Sequence, residues 1–161
     1  SPVTGVQTCA LPIYTGHCQH ITSLTLHSKN HSTEIMNKEE QVQYLANVFY
    51  IVLADGNTDK NEEKAFERIA QAIGAGYFER RNAQDLAKQD GFEVCPVGRL
   101  SDRFRNIEDM LFISYCNQQV DAAEKKLIID YATQIAVNQQ QFGQIKQEAK
   151  QRQENFRQRT T

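Results

Sequence analysis

Between Met36 and Thr161 the sequence contains no histidine, and its two cysteines, Cys95 and Cys116, stand far apart without CxxC spacing. The first absence removes catalytic triads with a histidine base, histidine-ligated metals and histidine pH switches. The second supports neither a disulfide framework nor a dithiol centre, and it fits a reducing cytoplasm. The longest apolar run, residues 48–54, is far too short for a bilayer span, so direct membrane insertion is not expected. A formal charge of −2 provides no general field that would attract nucleic acid. No useful length alternates apolar and polar residues with period two, so strands are not expected either.

Residues 1–35 read differently from the rest. Residues 1–13, SPVTGVQTCALPI, look like the translation of a library adapter, and residues 14–35 like upstream sequence read in frame. This stretch carries all four histidines, and Cys18-x-His20 with His27-x3-His31 imitates a zinc-ligand pattern. No apolar periodicity surrounds those residues to fix a tetrahedral site. The expected organisation is a non-native, disordered leader over 1–35, a helical domain over 36–150 and a frayed polar tail over 151–161.

What is present is helical periodicity. Residues 37–53 place Leu45, Val48, Phe49, Val52 and Leu53 on one stripe of an amphipathic helix. A second helix is expected from Asp59 to about Ile73, ended by Gly74 and Gly76. A thinner third follows over 77–89, then a long loop over 90–100 containing Gly91, Pro96 and Gly98. Ser101 is the expected cap of a fourth helix, Asp121 that of a fifth, and Asn138 that of a last helix containing Phe142, Ile145 and Ala149.

The chain also repeats itself. Within the segment ADGNTDKNEE, residues 54–62 align without gaps onto residues 116–124, and the apolar positions on both sides superpose at the same offset of 62. Leu45, Val48 and Phe49 match Ile107, Met110 and Leu111, and Phe66, Ile69 and Ala70 match Ile128, Tyr131 and Ala132. The expected fold is all-α: a compact bundle of about six to seven helices built from a duplicated helix, acidic loop, helix unit.

Two readings fit the acidic loops. Asp59 with Glu62 and Asp121 with Glu124 have the spacing of capping boxes, and carboxylates in a first turn suit the helix dipole. Asp55 does not fit this reading, because it ends the preceding helix where the dipole disfavours an anion. Asp55, Asp59 and Glu62 are therefore candidate oxygen ligands of a hard divalent cation, Ca2+ or Mg2+. The spacing is not that of an EF-hand, since Lys60 and Phe66 occupy the positions that need glycine and a bidentate glutamate. In the second copy Asn117, Asp121 and Glu124 form a less charged version. The basic residues Arg99, Arg103 and Arg105 read as a solvated helix start, and Cys116, matching Ala54, reads as a small buried filler.

With its Ala54-Asp55-Gly56 to Glu62 pattern, its degenerate copy at 116–124 and the helix register around both, the chain resembles the TerB-like family over roughly residues 40–145. That family is the helical domain of bacterial tellurite-resistance proteins, which also forms the amino-terminal part of some membrane-bound DnaJ-type co-chaperones. The resemblance implies a non-enzymatic, cytoplasmic domain able to bind divalent metal at its acidic loops. It also implies a supporting role in stress or tellurite resistance through docking on protein partners, membrane-associated assemblies among them. A metal-free, co-chaperone-type module whose acidic patch binds a basic partner surface is the alternative. Asn117-Gln118 in place of Asp-Gly, and the absence of a J domain, depart from the family pattern.

Overall fold

The computed structural model describes residues 35–54, 56, 58–117 and 120–160. The expected leader up to residue 34 lies outside the described residues, and so does Asp55. The described residues form six helices and no strand: α1 (Lys38–Ala54), α2 (Lys60–Ala72), α3 (Tyr77–Ala87), α4 (Leu100–Cys116), α5 (Ala122–Gln134) and α6 (Gln139–Thr160). None of these helices is long and apolar enough to cross a membrane.

The repeat is larger than a helical hairpin. Both ends of α1 and α2, and the start of α3, recur 62 residues later in α4, α5 and α6. The unit is therefore three helices long. Its third helix packs on its first, α3 on α1 and α6 on α4, and the two units join where α1 meets α4 and α2 meets α4. Their apolar stripes merge into one core containing Leu45 and Ile51 of α1, Ile69 of α2, Ile107, Met110 and Ile113 of α4, and Ile128 and Tyr131 of α5.

Even the ends of the helices repeat. In α2 the Ala75 N–H reaches the Ala70 carbonyl at 2.9 Å and the Gly74 N–H reaches Gln71 at 3.1 Å, the paired bonds of a Schellman cap. In α5 the same bonds run from Val137 to Ala132 at 3.0 Å and from Ala136 to Thr133 at 3.1 Å. This cap needs a left-handed residue, and Gly74 takes φ 74° without penalty. Ala136 is forced to φ 57° at the equivalent place, a conformation that costs an L-residue roughly 1–2 kcal/mol.

Three expectations need correction. The N-cap of α4 is Arg99, not Ser101, because Asp102 stands three residues on and its carboxylate takes the Arg99 N–H at 2.9 Å. The segment from Gln151 is not a frayed tail, for α6 is helical through Thr160 and Phe156 is buried. Ile145, Ala149, Arg152 and Phe156 fall on one face, and that face lies against α4. Cys116 is a free, buried thiol, as expected of a filler. Cys95 is disulfide-bonded, which the reading of 36–161, with two cysteines too far apart to pair, did not anticipate.

Candidate functional site

All six helices begin in the same way. The backbone N–H of the N-cap residue donates to the side chain three positions on: Asn37 to Glu40, Asp59 to Glu62, Gly76 to Glu79, Arg99 to Asp102, Asp121 to Glu124 and Asn138 to Gln141, at 2.7–3.0 Å. The glutamates of the acidic loops thus act as four other side chains of this chain do, satisfying a donor that the helix leaves unpaired. Glu62 and Glu124 differ in being buried, at 1% and 0% exposure. Each commits one carboxylate oxygen to its cap.

The remaining sequence-predicted residues, Asp59, Asp121 and Asn117, sit at the helix ends, the two aspartates in capping boxes with Glu62 and Glu124. Asp121 is exposed and its Oδ1 accepts from the Ala123 N–H at 2.7 Å, which completes the second cap. Asp59 is half-buried, and its Oδ2 accepts from Asn61 Nδ2 at 3.3 Å. Asn117 is half-buried at the end of α4. The two copies are neighbours across the α2–α4 contact. Burial, and then the nearby charges of Glu62 and Asp59, push the Cys116 thiol up to about 12, so it is a neutral thiol at physiological pH.

Among the described residues no group of three or more His, Cys, Asp or Glu is placed to hold a metal ion. A three-acid cation site at the first loop would accordingly have to include Asp55. Directly beside this loop lies a small cleft of about 210 Å3. Phe49, Val52 and Phe66 make its apolar part, the two rings in tilted contact at 5.2 Å, and Glu62, Glu63 and Glu67 contribute its carboxylates. Glu67 pairs with Arg80, while Glu63 is exposed and has no cationic partner among the described residues.

The most heavily constrained polar groups are elsewhere, between the repeats. Tyr44 donates its hydroxyl to Asp109 Oδ2 at 2.6 Å, and Arg152 of α6 donates to Asp109 Oδ1 at 2.5 Å and to Glu108 at 3.1 Å. Asn47 Nδ2 donates to Asn106 Oδ1 at 2.8 Å and to the Cys95 carbonyl at 2.7 Å, and the Cys95 N–H returns to Asn47 Oδ1 at 3.1 Å. Tyr44 and Asn106 are equivalent positions of the repeat, as are Asn47 and Asp109. The Tyr44–Asp109 and Asn106–Asn47 bonds are therefore pseudo-symmetric partners, one pair charged and one neutral.

Burial raises the Asp109 pKa despite Arg152 and Tyr44, whose charge and hydrogen bonds favour the carboxylate. Burial, and then the Asp109 charge, raises Tyr44 far above the usual phenol range. Burial works against the Arg152 cation, but Asp109 and Glu108 outweigh it and raise its pKa. Tyr44, Asn47, Asn106 and Asp109 are fully buried, Arg152 alone reaching a surface groove, and every pair in the network links two elements. It acts as a fastener of α1, α4 and α6. Sequence reasoning missed it because a charged residue inside an apolar stripe reads as a solvated face; the one available signal was that Asp109 lies between Ile107 and Met110.

No protein-family model, no curated protein and no solved structure matches this chain.

Proposed function

We propose that this chain is a non-enzymatic helical interaction module of the TerB-like kind, serving stress or tellurite resistance by docking on partner proteins. Its recognition surface is the acidic cleft beside the first loop, and its ligand is a basic segment of a partner carrying an apolar residue. The observation that favours this reading is the common capping scheme. Glu62 and Glu124 behave as the N3 residues of all other helices do, which accounts for two acids of the cation reading without a cation. Glu63 and Glu67, outside the caps, then stand beside the carbon surface of Phe49, Val52 and Phe66. A lysine or arginine could meet Glu63, Glu67 being already paired with Arg80, while its neighbour buries apolar area. A divalent cation held by Asp55, Asp59 and Glu62 is the competing reading.

Titration of the isotope-labelled chain with a short lysine- and leucine-containing peptide, followed by backbone amide NMR, tests the proposal. Shifts should concentrate at the end of α1 and the first half of α2. The variant Glu63→Gln should bind several-fold more weakly. Shifts scattered over the surface, or affinity unchanged in the variant, would count against the cleft.

A further inference from the structure

A second groove, of opposite charge, runs along α6. It has a volume of about 420 Å3, within the range of ligand sites, and its accessible lining is mostly apolar. Phe112 of α4 and Phe156 of α6 meet edge to face at 5.5 Å and form its base. Three guanidinium groups border it. Arg152 lies 4.3 Å from the Phe112 centroid and Arg68, from α2, lies 5.6 Å from the Phe156 centroid; Arg159 stands two helical turns beyond Arg152.

These cations are not equivalent. Arg152 is neutralised by Asp109 and Glu108 and is fixed in place. Arg68 and Arg159 are exposed, and among the described residues neither is in an ion pair. The one acid among the described residues of the lining, Glu148, is eleven residues before Arg159, three turns away along α6. The groove is thus polarised, with uncompensated positive charge towards the C-terminal end of α6 and a negative charge towards its start.

We infer that this groove docks an acidic segment of a partner protein: carboxylates meeting Arg68 and Arg159, and an apolar side chain between them lying along the mostly apolar lining of the groove. A peptide is favoured over a free anion by the shape and lining. In an open site a small anion gains only solvent-screened attraction from two exposed guanidiniums, which is weak. A peptide adds apolar contact along the groove and receives two charges at once. The inference does not depend on the acidic cleft. The two surfaces take ligands of opposite sign and are broken by different substitutions.

The experiment is fluorescence anisotropy with the full chain and a labelled peptide bearing two or three glutamates around a phenylalanine, beside a counterpart with lysine for glutamate. The glutamate peptide should bind and the lysine peptide should not bind at this groove. Arg68→Glu/Arg159→Glu should weaken binding about tenfold or more, and Glu148→Gln should strengthen it. Both changes are at exposed side chains, and an unchanged unfolding midpoint confirms that the fold is intact. Equal binding by wild type and the double variant would overturn the inference. So would displacement of the peptide by inorganic phosphate at matched ionic strength, which would identify a free-anion site. Concentration-dependent dimerisation abolished by the same double variant would overturn it too, by assigning the groove to a second copy.

Discussion

Arg152→Ala is expected to lower the unfolding free energy by about 3–5 kcal/mol at neutral pH, because it leaves a buried carboxylate without its counter-ion. Asp109 is 0% exposed, and Arg152 is the strongest influence favouring its ionised form. Urea denaturation followed by circular dichroism reads this loss. The pH dependence identifies the cause. The folded-state pKa of Asp109 is raised above its ordinary value of 3.8, so the stability linked to it is fully present below that value and is lost as pH rises through the folded pKa. Removing Arg152 raises the folded pKa further. The deficit of the variant should therefore be largest at neutral pH and shrink on acidification, as Asp109 enters the fold protonated. The paired replacement Arg152→Met/Asp109→Leu should restore much of the stability, since no isolated charge remains. A deficit under about 1 kcal/mol, independent of pH, would mean that water screens the pair.

Removal of residues 151–161 should be more damaging still. It deletes Arg152 together with Phe156, which is 7% exposed and packed on Phe112. Loss of a buried phenylalanine side chain alone costs about 3–5 kcal/mol. Because the two residues are neighbours on one face, the losses are not strictly additive, yet their joint size rivals the about 5–15 kcal/mol that holds a typical domain together. The expected result is a chain without a cooperative thermal transition, whose far-ultraviolet signal falls by more than the deleted turns explain. A transition at the midpoint of the full chain would show that the end of α6 contributes nothing.

The contrast between these two expectations and the sequence reading shows where legibility ended. Large apolar residues at helical spacing, Leu45 to Phe66 and their mates Ile107 to Ile128, revealed the offset of 62 and the all-helical fold. Capping pairs at Asp59/Glu62 and Asp121/Glu124 located two helix starts. The third helix of each unit was legible as a helix but not as part of the repeat, because α3 buries only Ala83 and Ala87, small residues that hardly mark a stripe. Their equivalents in α6 are Ile145 and Ala149, so the match exists but rests on side chains of different size. The end of α6 escaped for another reason. Glutamine and arginine surround Phe156, and only tertiary contact with Asp109 and Phe112 makes Arg152 an inward-facing residue. At the acidic loops, composition could not separate a cap from a ligand. The six shared hydrogen bonds show Glu62 and Glu124 acting as caps through one carboxylate oxygen each, while Asp55 lies outside the described residues.

Isothermal titration of the chain with calcium and with magnesium, for wild type, Asp55→Asn and Asp59→Asn, bears most directly on whether the acidic loops are helix starts beside a protein-binding cleft. Loops that serve as caps predict no saturable heat for either metal in any of the three proteins. Saturable binding in wild type that disappears in both variants would contradict this and make the first loop a cation site.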